Sequence, residues 1–274
     1  MPALHAVGIE IERGEFVALI GQNGSGKTTL AKQFNGLLKP SSGDVLVDGK
    51  STRTCSIADL AKTVGYVFQN PDHQLCMKTV EEELKFGPRN FRLEEGEIER
   101  RAEELLEAFG LGKYRNTHPF LLSRADRLRV AFCSVLIMEP KLIVVDEPTT
   151  GQDMRQSHEV MRILEDLNRK GHTIVFITHN MKLVAEYSKR TVVMRQGLVT
   201  LDGATREVLC QHEKLAETYL KPPQITVLAS KLSHFGIPRE ILTVEEMSEA
   251  LDRRRKAEGL QIARAAESAP AHSR

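Results

Sequence analysis

The chain has 274 residues, 41% of them hydrophobic, enough for one large domain or for a well-filled core with a smaller appendage. Lys plus Arg (38) nearly cancels Asp plus Glu (37), which argues against a whole-surface electrostatic hold on nucleic acid. Cys55, Cys76, Cys133 and Cys210 form no CxxC pair, so neither a zinc site nor a disulfide framework is indicated, and no apolar run is long enough to span a bilayer.

The opening MPALHAVGIEIERGE lacks the basic-then-apolar form of a secretion signal, so the expectation is a cytoplasmic chain that can still dock on a membrane protein. Val7, Ile9 and Ile11 alternate with Gly8, Glu10 and Glu12, which predicts a half-buried strand before a turn at Gly14. FVALI, and later LIVV and IVFIT, are short unbroken apolar runs rich in β-branched residues, the pattern of parallel strands covered on both faces. Helical patterns separate them, so the class is α/β with a mainly parallel sheet.

Directly after FVALI comes GQNGSGKT, Gly21 to Thr28, which matches G-x-x-x-x-G-K-[ST] and leads into the helical TLAKQFNGLL. Glycines let such a loop turn so that backbone N–H groups and a helix N-terminus face phosphate oxygens. Asn23, Gly24, Ser25, Gly26, Lys27, Thr28 and Thr29 are therefore the expected ATP-binding positions, with Lys27 on the β- and γ-phosphates and Thr28 on Mg²⁺.

From Thr79 to Phe109 the chain becomes charge-laden with apolar residues at helical spacing, and Thr79 with Glu82 makes a helix start. This predicts a helical insertion over about 72–139 within a core formed by 1–71 and 140–203. In KLIVVDE, Asp146 closes a buried strand, where its carboxylate can reach Mg²⁺ through water, and Glu147 follows, placed to orient or deprotonate an attacking water. The bland alternative, a surface Asp-Glu pair at a turn, does not explain why the pair ends an apolar strand. TVVMRQGLVTLDG predicts a closing hairpin. A small appendage is expected over 204–256, with the RRRK run read as a solvated helix end, and a disordered Ala/Ser-rich tail over 257–274.

Taken in order, Gly21 to Thr28, Gln69 after GYVF, LSRAD, LIVVDE, TTGQD and the His179 after IVFIT resemble an ATP-binding-cassette ATPase over about residues 4–205. The resemblance implies a P-loop NTPase (RecA-like) core with a helical cassette-specific subdomain. It also implies that Gln69 senses Mg²⁺ and the γ-phosphate, that His179 contacts the γ-phosphate, and that Ser123 and Asp153 belong to the ATP site of a head-to-tail dimer. More narrowly, YVFQNPDHQLCMKTVEEELKFGPRN, DEPTTGQD and the KPPQI break resemble the ATPase subunits of energy-coupling-factor importers of vitamins or transition-metal ions. That implies as partners a second cassette ATPase (a paralogue or the same chain), a membrane-embedded coupling subunit and a substrate-binding membrane subunit, with no nucleic acid, at the cytoplasmic face of the membrane.

Two positions depart from the family pattern. LSGGQ is here Leu122, Ser123, Arg124, Ala125 and Asp126, adding a Cβ and a negative charge where backbone and phosphate should approach. One expectation is a pair with one strong and one weak site; the other is that the variant is tolerated at both. The adenine-stacking aromatic of the family has no counterpart before Phe16, which leaves open either missing upstream residues or a less selective adenine contact. The competing functional readings are a regulatory cassette that binds ATP with little hydrolysis, and a soluble cassette acting on DNA or ribosomes.

Overall fold

The computed structural model of the chain describes residues 3–267, of which 258–267 are described as helical backbone only. Phe16–Gly21 (β1) is buried along its whole length, with Phe16, Ala18 and Ile20 packed on one side and Val17 and Leu19 on the other. A strand without a polar face can only be central, and it is. The chain continues through Lys27–Phe34 (α1), the short hairpin Leu46–Val47 (β2) and Lys50–Ser51 (β3), Ile57–Ala61 (α2) and Val64–Val67 (β4). Val80–Asn90 (α3), Glu95–Ala108 (α4) and Arg124–Leu136 (α5) follow. Leu142–Asp146 (β5), Met154–Arg169 (α6), Thr173–Ile177 (β6), Met181–Tyr187 (α7), Arg190–Arg195 (β7) and Leu198–Ala204 (β8) complete the core.

The main sheet runs β4-β5-β6-β1-β7-β8, parallel except for β8, which pairs antiparallel with β7. The β7–β8 turn carries Gln196 and Gly197 at φ 48° and 79°, the two left-handed residues that match a hairpin's twist. Leu128, Phe132, Met161, Leu164 and Leu183, from α5, α6 and α7, fill one face of the sheet, while Leu30, Ala31 and Phe34 of α1 fill the other. Each such side chain buried in full stabilises the fold by about 1.5–3 kcal/mol.

The helical insertion has its own core. Val80, Leu84, Ala102, Leu106 and Leu111 pack against Val130, Ala131 and Cys133 of α5 and Ile137 at its end. Thus α5 has two apolar faces: Leu128, Phe132 and Leu136 turn to the sheet and the residues beside them turn to the insertion. It packs against both. Thr79 caps α3 as its spacing predicts, its Oγ1 accepting from Glu82 N at 3.1 Å.

Three expectations change. Residues 7–11 alternate in burial as a strand would, yet no ladder forms among the described residues. Val7, Ile9 and Ile11 rest against the α1 side of the core, along a groove of about 850 Å³ that also touches Phe34, Val45 and Val47. Alternation reports which side is dry, not whether a neighbour is there to pair with. The stretch after 204 is not one appendage: Val208 and Leu209 of Thr205–Leu209 (α8), Leu215 of His212–Glu217 (α9) and Leu242 join the main core. Gln224–Lys231 (α10) and Val244–Glu267 (α11) build a separate small cluster of Ala229, Ile237, Ile241, Met247 and Ala250. Finally, α11 runs on to Glu267, so the RRRK run sits inside a helix and the expected disordered tail is helical at least that far; positions 268–274 lie outside the described residues.

Candidate active site

The turn between β1 and α1 is possible only with glycine. A Cβ on Gly21 would lie 2.3 Å from Met194 O and 2.6 Å from Ser25 Oγ, and one on Gly26, at φ 102°, would lie 2.8 Å from Leu4 Cδ2. Gly26 is followed at once by α1, whose first N–H groups, on Lys27, Thr28 and Thr29, have no acceptor among the described residues. Unpaired donors at a helix start attract anions. They open on a cleft of about 340 Å³ lined by positions 23, 24 and 26–29 together with Gln69, Asp146 and Glu147. The larger groove beside residues 7–11 holds none of these groups.

Ser25, expected among the ligand-binding positions, also serves the loop itself. It is buried, its N–H donates to Gln22 O at 3.1 Å, and its carbonyl accepts from Gly197 N at 2.9 Å, pinning the loop to the β7–β8 turn. Lys27 is also buried, and its Nζ donates to Gly21 O and Gln22 O, both at 2.8 Å. Burial pulls its pKa below the ordinary 10.5, while the nearby Glu147 and Asp146 carboxylates oppose that shift. A phosphate arriving here meets a partly desolvated cation that needs a strong acceptor.

Asp146 ends β5 with only 5% of its surface exposed. Its Oδ2 accepts from Thr28 Oγ1 at 2.9 Å and from Tyr66 Oη at 3.1 Å. Burial raises its pKa above the ordinary 3.8, with the Glu147 charge adding to the rise and the two hydroxyl donors and Lys27 opposing it. Tyr66 went unread in the sequence because a tyrosine inside GYVF looks like core packing. Burial, then the charge of Asp146, pushes its phenol pKa up, so it remains a donor.

Glu147 adopts φ 51°, a left-handed conformation that a non-glycine residue holds only when its surroundings enforce it. Here its N–H donates to Ile177 O at 3.0 Å, across to the end of β6. Its Oε2 accepts from Thr150 Oγ1 at 2.9 Å and lies 2.7 Å from His179 Nδ1. The strand ends of β5 and β6 therefore deliver Asp146, Glu147 and His179 to one place. Gln69, exposed after β4, joins the same cleft.

Ser123 and Asp153 do not line this cleft. Each is exposed and caps a helix of its own chain: Ser123 Oγ accepts from Asp126 N at 3.1 Å at the start of α5, and Asp153 Oδ1 accepts from Gln156 N at 2.8 Å at the start of α6. Ser123 also donates its hydroxyl to Asp126 Oδ2 at 2.8 Å, and Arg129 Nη1 lies 3.4 Å from Asp126 Oδ1. A Cβ on Gly151 would sit 3.3 Å from Arg124 Nη1, so the arginine of LSRAD lies against the TTGQD loop. A further unread residue is Gln74, whose Nε2 donates to Ala131 O at 2.8 Å and Ser134 Oγ at 2.9 Å, tying the segment after Gln69 to α5.

The donors fit a magnesium nucleotide. A hydroxyl and a carboxylate are hard oxygen ligands, and Mg²⁺ is typically held by one or two such groups with phosphate oxygens and water. Among the described residues there is no cluster of three or more His, Cys, Asp or Glu side chains that would suggest a protein-only metal cage.

Comparison with known proteins agrees with this chemistry. The sequence profile of the ABC transporter family matches residues 4–150. The energy-coupling factor transporter ATP-binding protein EcfA2 of Clostridium perfringens is 40% identical over 256 residues, 91% of this chain and 90% of its own length. A putative ABC transporter ATP-binding protein of Caldanaerobacter subterraneus subsp. tengcongensis is 45% identical over 89% of this chain, but the chain spans only 42% of that relative's length. Among solved structures, cbiO1 of Clostridium perfringens, described as part of the ABC transporter complex cbiONQ, superposes with a TM-score of 0.71 at 38% identity, covering 82% of this chain and 91% of its own. The cassette MJ0796, in a dimeric post-hydrolysis state with ADP and Pi, gives 0.67 at 29% identity, covering 74% of this chain and 90% of its own.

Proposed function

This chain belongs to the ABC transporter family, and on that premise we propose that it hydrolyses ATP to energise an importer of the energy-coupling-factor type. The observation that carries the reading is the cleft in which the N–H groups at the start of α1 and Lys27 meet Asp146 and Glu147, with His179 against Glu147. Backbone donors and the Lys27 ammonium bind the phosphates, and Thr28 with Asp146 would hold Mg²⁺, which would supply charge to offset that of the phosphates. Glu147 orients the attacking water and takes its proton as the bond to the γ-phosphorus forms and the bridging oxygen leaves with ADP. His179 holds Glu147 in that position.

Ser123 and Asp153 stand outside the cleft. On this reading a head-to-tail pair supplies them from the partner; a solved cassette that this chain resembles is a dimer. The pair acts beneath a membrane-embedded coupling subunit and a substrate-binding subunit for a vitamin or a transition-metal ion, with this chain peripheral on the cytoplasmic face. None of its described helices is long and apolar enough to cross a membrane itself. Closure with ATP bound and reopening after hydrolysis provide the work.

The Ser123–Asp126 contact favours asymmetry within the pair, since this chain offers its partner a signature whose hydroxyl is already engaged. The same contact is what supports the second reading, a regulatory cassette with little turnover. Steady-state ATP hydrolysis by the chain, alone and with a candidate partner, separates the two, with Glu147→Gln as the blank. The Gln variant is expected to keep ATP binding and lose about 10²–10⁴-fold in turnover. Undiminished turnover in that variant would overturn the role of Glu147.

A further inference from the structure

We propose that Tyr66 is a positioning residue for Asp146: its phenol fixes one carboxylate oxygen so that the other is presented to the metal. The proposal rests on reading the cleft as an ATP and Mg²⁺ site. On the sheet, Tyr66 of β4 stands beside Val144 of β5, and its ring runs along β5 to bring Oη within 3.1 Å of Asp146 Oδ2. The ring is buried, packed in the α1-side core and tilted against Phe68 with centroids 4.9 Å apart. Packing alone would be met as well by phenylalanine or methionine; the hydroxyl adds one directed bond, to Asp146.

Thr28 donates to the same oxygen, Oδ2, at 2.9 Å. Two hydroxyls on one oxygen set the plane of the carboxylate and leave Oδ1 without a protein hydrogen bond among the described residues. When Thr28 turns its oxygen toward a metal, Tyr66 is the donor that still holds Asp146 in place. The ordering is that of other metal sites, where an outer hydrogen bond orients a ligand and its loss weakens metal binding by about 10–100-fold. The strand that carries Tyr66 also ends just before Gln69, a second side chain lining the same cleft.

The test is Tyr66→Phe in the full chain, which keeps the ring and removes one oxygen. Two quantities are read: affinity for ATP in EDTA by calorimetry, and Mn²⁺ binding to the ATP-saturated protein by electron paramagnetic resonance. The expected result is metal-free ATP affinity within about twofold of the unchanged chain and Mn²⁺ affinity weakened roughly tenfold. Equal Mn²⁺ affinity, or a parallel loss of both affinities, would overturn the proposal by leaving Tyr66 a packing residue. Absence of any metal effect in the unchanged chain would fell the reading of the cleft and this proposal with it, a pattern distinct from a failure seen in the variant alone.

Discussion

The cleft after β1 and the LSRAD segment at the head of α5 are both helix starts preceded by a short loop, and they treat their polar groups in opposite ways. At α1 no side chain caps the helix among the described residues: Gly26 stands in the capping position, and the N–H groups of Lys27, Thr28 and Thr29 have no acceptor there. At α5 the helix is capped twice over, by Ser123 accepting from Asp126 N and donating to Asp126 Oδ2, with Arg129 on the far side of that carboxylate. One start is left unsatisfied and is ready for an anion. The other meets its own needs and gains stability, about 1 kcal/mol for such a cap, at the expense of an available hydroxyl. Helix starts are thus binding sites only to the extent that the chain declines to cap them.

The largest effect that sharpens this contrast is on the open side. Lys27→Ala removes the buried cation, leaving the loop donors as the main hold on the phosphates, and should weaken ATP binding by 10²-fold or more, since charge-assisted hydrogen bonds contribute about 1.5–3 kcal/mol each. Fluorescent-nucleotide titration reads it directly. Retained affinity would mean that the backbone N–H groups hold the phosphates and that the cation serves only the loop, through Gly21, Gln22 and Ser25.

On the closed side, restoring glycine and glutamine with Arg124→Gly, Ala125→Gly and Asp126→Gln frees Ser123 and removes a negative charge. Turnover by the assembled pair should rise roughly tenfold, the worth of one regained hydrogen bond to a charged group. The same variant should melt lower, because the Ser123–Asp126 carboxylate contact is lost and two glycines enter the first turn of α5, each costing up to about 1 kcal/mol. The two readouts move in opposite senses, so lost stability cannot pass for altered activity. Unchanged turnover would show that LSRAD is a tolerated spelling and that the two sites are equivalent.

How much of this was legible depends on whether the chemistry is local. The strand, loop and helix around Gly21 to Thr28, the carboxylates closing β5 and the Gln196-Gly197 hairpin each declare themselves through a few adjacent residues whose backbone needs are unusual. Tyr66 and Gln74 do not, because each acts across the fold, on Asp146 and on α5, and nothing in GYVF or PDHQ marks the side chain that will reach. The unpaired segment at 7–11 was mistaken for a strand because alternation encodes burial alone. The helix through Glu267 was mistaken for a tail because an alanine-rich stretch such as QIARAAE reads as linker by composition and as helix by propensity. The self-capping of LSRAD was half visible: Asp126 could be read as an unwelcome charge, but its bond to Ser123 required the geometry.

The smallest effect tests whether the open cleft is held open at a cost to the fold. Asp146 is buried, and burial raises its pKa, so the folded state binds its proton more tightly than the unfolded chain does. Stability from this residue is therefore greatest below its unfolded pKa and is lost as pH rises through the higher folded value. At neutral pH the ionised carboxylate is a burden, eased only in part by Thr28, Tyr66 and Lys27. Asp146→Asn removes the charge while keeping an acceptor for both hydroxyls, and should raise the melting temperature of the ligand-free protein by an amount worth about 0.5–2 kcal/mol. That gain should shrink as pH falls through the folded pKa, above 3.8, where the native residue is already neutral. Adding MgATP should reverse the order, since saturating ligand stabilises the native chain by about 2.7 kcal/mol at 100 times Kd and the variant by less. If the variant's advantage over the unchanged chain is no larger at pH 7 than at low pH, the carboxylate is solvated better than its burial implies, and the cleft is open without cost.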